Sequence, residues 1–289
     1  MVRTPGTSRA DRTSASCVDI AHLNSCSSAW LSAPALQRMR LSNAEYSTRL
    51  RRHLRLPIPV CASLRSSAGG NEADMYGDFT LSVYQGGNEW TNLHNAQQHF
   101  IFKCAKQVGI PDVSKEARSV ATSKHRPGDV RCGPRGHGWQ RAYDKALYLD
   151  IVTVSAVCQT HAPACAAKKG GGAAEAAQRK MNACRTIIPA TAYFQPLAFE
   201  SEGYTSPEVF QLLKIWAKQW SEARNRPSSE AGRLMQVWRN ELAHLQAKWL
   251  ARCILSRAQK SFEAEANSSG ASPDIRRPLA SQVDLHFAR

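Results

Sequence analysis

The stretch ALYLDIVTVSAV, residues 146–157, decides the fold. It is rich in β-branched residues and almost continuously apolar, the composition of a strand buried on both faces of a sheet. One charge interrupts it, Asp150. A lone carboxylate inside a buried strand is costly unless it is paired or holds a metal, so Asp150 needs a chemical reason for its place.

Outward from this strand, helical and extended patterns alternate. Towards the C-terminus, residues 173–184 have helical spacing, entered from the glycines 170–172, with Arg179 and Lys180 near the end. A second strand is expected over 192–199, followed by a turn at Glu202 and Gly203. Ser206 with Pro207 opens another helix, whose apolar face is Val209, Leu212, Leu213, Trp216 and Trp220. A last helix runs from near Ser229 to about Lys260, with Leu234, Trp238, Leu242, Leu245, Trp249 and Cys253 on one stripe. Towards the N-terminus, a helix over about 92–108 stops at Gly109, with Pro111 behind it. Short extended pieces over 113–120 and 128–132 lead back to the central strand. The class is α/β (α+β): a small mixed β-sheet flanked by helices, with further helices at both ends.

The core is expected over 93–221 and a basic helix over 222–261. Residues 1–26 are polar and read as disordered, and 262–289 lose periodicity and read as a tail. Between 27 and 60 the spacing predicts short helices; Ser42 and Glu45 form a capping box, and Pro57 and Pro59 stop the run. Arg49, Arg51, Arg52 and Arg55 give this segment a basic face, turned either to phosphates or to solvent. Residues 61–92, rich in Gly and Ser, read as an irregular loop.

Composition excludes whole classes of function. With 43% hydrophobic and 21% charged residues in 289, the chain is neither fibrous nor disordered throughout. No stretch approaches the roughly 18 apolar residues of a membrane span. Lys and Arg number 38 against 23 Asp and Glu, a net charge of +15. Such a surplus attracts polyanions, DNA or RNA, or else serves solubility alone. It is dense in Gln211–Lys260, with ten basic residues against three acidic, so Arg239, Lys248, Arg252 and Arg257 join the candidate phosphate contacts. Trp216, Trp220, Trp238 and Trp249 in this region are read as packing residues rather than base-stacking ones.

Nine scattered cysteines without a CxxC pair suit a reducing, intracellular setting. Cys158, His161 and Cys165, and likewise Cys132 with His137, lack a fourth partner and are read as structural. The first seventeen residues have a composition loosely like a transit peptide, but Asp11 and the missing amphipathic face speak against one.

The chemistry centres on two carboxylates. Asp129 stands in RPGDV, residues 126–130, and Asp150 follows 21 positions later in the next strong strand. If the strands pair, both can converge on one divalent cation, Mg²⁺ or Mn²⁺, which is held by one or two carboxylates plus waters and substrate phosphate. The alternative is structural, with Asp129 capping a turn and Asp150 paired to an arginine.

From about residue 29 to 259 the chain resembles the C-terminal region of reverse transcriptases encoded by non-LTR (LINE-type) retrotransposons, in the version that ends in a restriction-like endonuclease of the PD-(D/E)XK superfamily. The likeness rests on six segments in order: SAWLSAPALQRMRLSNAEYSTRLRRHLRLPIP (28–59), LHNAQQHFIFKCAKQVGIP (93–111), RPGDV, YLDIVTVS (148–155), AAEAAQRKMNAC (173–184) and PLAFESEGYTSPEVFQLLKIWA (196–217). It covers about four-fifths of the chain. It implies a restriction-endonuclease-like core that cuts DNA with a divalent metal, and nuclear action.

Carried over by position, Asp129 and Asp150 match the metal-binding pair. The lysine expected two residues after Asp150 is replaced by Val152, and Lys180 (or Arg179) matches the displaced basic role. Glu116 matches an accessory acidic position, or is an exposed strand-end charge. The family's zinc-knuckle-like set is degenerate, because Cys61 is kept while Phe79 and Val83 stand where His and Cys are expected. A Zn²⁺ site is therefore expected to be lost, and His94 is expected to pack or cap its helix. The resemblance also implies a missing polymerase module and a truncated element copy. Two functions follow: a Mg²⁺-dependent endonuclease, or a catalytically dead remnant that binds nucleic acid.

Overall fold

Leu147, Leu149 and Ile151 project from one side of the central strand into the main core, while Tyr148 and Asp150 project from the other. This alternation makes one strand serve two layers of helix. The computed structural model describes residues 28–32, 35, 37–66, 72–82, 88–115 and 128–268. The expected disordered start over 1–26, Glu116 and Val83 lie outside the described residues.

The sheet has four strands in spatial order β1 (Ser114–Lys115), β2 (Val130–Cys132), β3 (Ala146–Val154) and β4 (Ala192–Glu200). β1 to β3 are antiparallel neighbours, with Val130 opposite Leu149, and β4 runs parallel to β3, with Asp150 opposite Pro196. The nine helices among the described residues are α1 (Ala29–Ser32), α2 (Asn43–His53), α3 (Pro59–Ala62), α4 (Asp78–Ser82), α5 (Glu89–Val108), α6 (Ala162–Ala167), α7 (Gly171–Cys184), α8 (Pro207–Glu222) and α9 (Ser228–Ser268). This is the mixed α/β class expected, a small mixed sheet between helical layers. No helix among the described residues is long and apolar enough to cross a membrane.

One layer is built by α5, α8 and α9. Phe100, Ile101 and Cys104 meet Leu212, Trp216, Trp238 and Leu242 over the Leu147, Leu149 and Ile151 face. α7 covers the other face near Tyr148, Ala192 and Phe194. Trp216 and Trp238 are packing residues, as their spacing implied. Both are buried, and their ring N–H groups donate to the His137 carbonyl and to Gln107 Oε1, each at 3.1 Å. Replacing Trp238 by alanine is expected to destabilise the fold by about 3–5 kcal/mol, through lost burial and a cavity, measurable by urea denaturation.

Three expectations need correction. The described residues within 61–92 are not an irregular loop. They carry the end of α3, all of α4 and the start of α5, and Phe79, Leu81 and Cys61 pack with Ile254 of α9. The Asp74 carboxylate organises this segment by accepting the N–H groups of Tyr76, Asp78 and Phe79 at 2.9, 3.0 and 2.7 Å. The presumed tail begins too early, because α9 continues to Ser268. Its last turns are held where Glu265 Oε1 accepts the Arg65 and Ser66 N–H groups at 2.8 and 2.6 Å. Ser206 does stand at the N-cap of α8, but its side chain makes no capping hydrogen bond. The Ser42–Glu45 box is present, with Ser42 N donating to Glu45 Oε2 at 2.7 Å and Glu45 N to Ser42 Oγ at 3.2 Å.

The basic face of α2 is turned inward. Arg49 and Arg52 are each 1% exposed. Arg52 donates to Glu202 Oε1 at 2.7 and 3.0 Å, to the Tyr76 carbonyl at 2.8 Å and to Asp78. Arg49 donates to the Glu202 carbonyl at 2.8 Å, and Arg55 pairs with Asp78. The cluster ties α2 and α4 to the turn after β4.

Candidate functional site

β2 is shorter than β3, and the site lies where it ends. The register that sets Val130 opposite Leu149 would set Asp129 opposite Asp150. Asp129 N still donates to the Leu149 carbonyl at 2.8 Å, but there the ladder stops and its carboxylate turns back along the edge of β3. Asp129 Oδ2 accepts the Ile151 N–H at 2.6 Å, replacing the strand partner that this donor would otherwise lack.

Asp150 reaches the same place from β3 and is 7% exposed. Lys180 of α7 approaches it from the far layer, Nζ lying 3.1 Å from Oδ2 and 3.4 Å from Oδ1. The closer approach is off the hydrogen-bonding direction, so Oδ2 is screened from water without a hydrogen bond. Burial pushes the Asp150 carboxyl above its ordinary value; the Lys180 charge pulls against this and the Asp129 charge adds to it. For Lys180, burial favours the neutral amine, but the Asp150 carboxylate outweighs it and the net shift is upward. Lys180 is therefore a cation at neutral pH, a donor rather than a base.

α7 is placed closely enough to make this contact. A Cβ on Gly171 would stand 2.0 Å from the Ala164 carbonyl oxygen, so only glycine lets α6 and α7 approach there. The glycines before Ala173 are thus a packing device. Glu200, the last residue of β4, accepts the Ala173 N–H at 2.9 Å through Oε1 and satisfies the first turn of α7 from a neighbouring strand.

α5 supplies two residues that the sequence reading did not assign to the site. His94 Nε2 lies 3.2 Å from Asp129 Oδ1, and Gln98 Nε2 donates to the Asp129 carbonyl at 2.9 Å. One holds the carboxylate and the other its backbone, four residues apart on one helical face. The hydrogen bond to Asp129 raises the His94 pKa, with burial opposing it. His94 therefore does more than pack or cap its helix. The i, i+4 spacing of His94 and Gln98 was the available signal, but only the fold names their partner.

Other assignments fare differently. Arg179 faces away from the carboxylates and towards His161, Nη2 lying 2.9 Å from Nε2; of the two alternatives, Lys180 is the one that meets Asp150. Arg49, Arg52 and Arg257 are each 1% exposed, which corrects their assignment as phosphate contacts. The carboxylates drew the two α2 arginines inward, and Arg257 Nη1 donates to the Thr80 carbonyl at 2.5 Å. Arg252 is half exposed but paired with Glu45, and Lys248 Nζ donates to the Arg40 carbonyl at 2.9 Å. Arg51 donates to the Pro57 carbonyl, and Arg239 lies over the Phe210 ring.

Two carboxylates with hard oxygen donors, one of which keeps a screened oxygen without a hydrogen bond, fit a small divalent cation such as Mg²⁺ or Mn²⁺. Among the described residues no group of three or more His, Cys, Asp or Glu side chains is arranged to hold a metal. Asp129 and Asp150 would be its ligands among the described residues, with water and an anionic substrate at further positions. Fold and site together define a mixed α/β protein with a carboxylate pair and a cation where the β2–β3 ladder ends. No protein-family model, no curated protein and no solved structure matches the chain.

Proposed function

We propose that the chain is a metal-dependent DNA endonuclease, derived from the restriction-like region of a non-LTR retrotransposon reverse transcriptase and acting in the nucleus. One observation carries the reading: Asp129, just before β2, Asp150 of β3 and Lys180 of α7 come together beyond the end of the β2–β3 ladder. Asp129 and Asp150 would hold the cation, which when bound supplies a more acidic water and neutralises charge on a phosphodiester. His94 and Gln98 keep Asp129 in place, and Lys180 offers a fixed positive charge to a phosphate oxygen or to the attacking water. Of Asp129, Asp150 and Lys180, Asp150 alone is buried, which strengthens its interaction with Lys180.

The test is nicking of a supercoiled plasmid by the full chain with Mg²⁺ or Mn²⁺, and with a chelator as control. Lys180→Met is expected to lower the nicking rate by about 10²-fold or more with an unchanged circular-dichroism spectrum. Equal rates for both proteins would remove Lys180 from the site. A second reading, the catalytically dead nucleic-acid-binding remnant, is favoured by the ion pair that already occupies Asp150. Its signature is salt-sensitive DNA binding without any metal-dependent nicking.

A further inference from the structure

With Arg49, Arg52 and Arg257 inside the protein, the grip on a polyanion has to come from other cations. α5 leaves the carboxylate site with a stripe of exposed Asn95, His99 and Lys106 around the half-buried Phe102, on the line beside His94 and Gln98. Lys115 of β1 joins it. Its Nζ lies 2.8 Å from His99 Nδ1 and 5.0 Å from the centre of the Phe102 ring, and Lys106 Nζ lies 5.7 Å from the same ring.

One half-buried aromatic ring thus gathers two ammonium groups on the surface. Among the described residues Lys115 gives one of its three N–H donors to His99, with two left for another acceptor. No acidic residue occurs in α5 after Glu89. Among the described residues, the nearest others are Glu241, paired with Lys103 at 2.7 Å, and Asp112, whose side chain lies beside Gly133. From Asn95 to Lys106 the helix rises about 16 Å, roughly five nucleotides of one B-form strand.

We propose that this face of α5, with Lys106 and Lys115 as its phosphate contacts, is the track along which a DNA strand runs to or from the carboxylate site. The assignment rests on the endonuclease reading for the class of its partner, but its test does not depend on cleavage.

The experiment is fluorescence anisotropy of the full chain with a labelled 20-base-pair duplex, in chelator, across a salt series. The variants are Lys106→Ala/Lys115→Ala and, as a control of equal charge, Lys218→Ala/Arg233→Ala, whose two side chains are 74% and 78% exposed on α8 and α9. Loss of two phosphate contacts is expected to flatten the plot of log affinity against log salt by about 1.8 in the first variant and not in the second. Thermal melts of both are expected to match wild type. An unchanged slope in the α5 variant, an equal flattening in the control, or no salt-dependent binding by wild type would each overturn the track. Wild-type nicking with an unchanged slope would leave the endonuclease standing and the track refuted. A flattened slope without nicking would do the reverse.

Discussion

Asp150→Asn will lower metal-dependent nicking by on the order of 10³-fold while leaving the protein folded and no less stable. The substitution keeps the shape of the side chain and removes half of the paired negative charge at the edge of β3. Asparagine offers a hard cation one neutral oxygen, a much weaker ligand than a carboxylate. Stability responds in the opposite direction. Burial raises the Asp150 carboxyl above its ordinary value despite Lys180, so the charged form is held at a cost once the pH exceeds the unfolded value. Lys180, about 44% exposed in its side chain, can turn to water when its partner is neutralised. Plasmid nicking and urea denaturation on the same preparation check both halves. Nicking at the wild-type rate would show that the carboxylate pair does no chemistry. A large loss of stability would show that Asp150 is there for the fold.

Arg52→Met will destabilise the protein by about 3–5 kcal/mol, because it leaves two buried carboxylates short of their charge partner. Arg52 is the centre of the cluster, with Glu202 and Asp78 on either side and side-chain exposure of 0%. Burial pushes the Asp78 carboxyl up, but the Arg52 and Arg55 guanidiniums outweigh it and hold it below the ordinary carboxylate range. A carboxyl with a depressed folded value stabilises the protein above the unfolded value, about 3.9, and that contribution is lost as pH falls through the folded value. Wild type is therefore expected to lose stability on acidification below about pH 4, and Arg52→Met to lose less over the same interval. Denaturant midpoints for both proteins between pH 3 and 7 measure this. Parallel curves would show that the Asp78 pairing adds nothing to the fold.

How much was legible varied with how local the cause was. The strand over 146–154 could be read because a buried strand writes its own composition, and its one carboxylate stood out against it. The stop of α5 at Gly109, with φ of 89°, could be read because the left-handed position calls for glycine. The helical turns described within 61–92 could not, because they are held by Asp74, by Arg52 and by packing on α9 rather than marked by periodicity. The last turns of α9 were missed for the same reason, being held by main-chain donors about two hundred positions away.

The candidate site divides along the same line. The sequence by itself determined the α/β class, the order of the strands and main helices from residue 89 on, and Asp129 and Asp150 as the candidate carboxylates, since spacing sets which face each residue occupies. Only the tertiary structure decided that Lys180 rather than Arg179 meets Asp150, that His94 and Gln98 hold Asp129, and that Arg49 and Arg52 lie inside. The reason is physical. A helix spacing fixes where a charged side chain points, but whether that direction is water or protein depends on a partner far along the chain. Here Glu202, 150 positions from Arg52, draws the Arg52 side of a basic helix face into the interior of the fold.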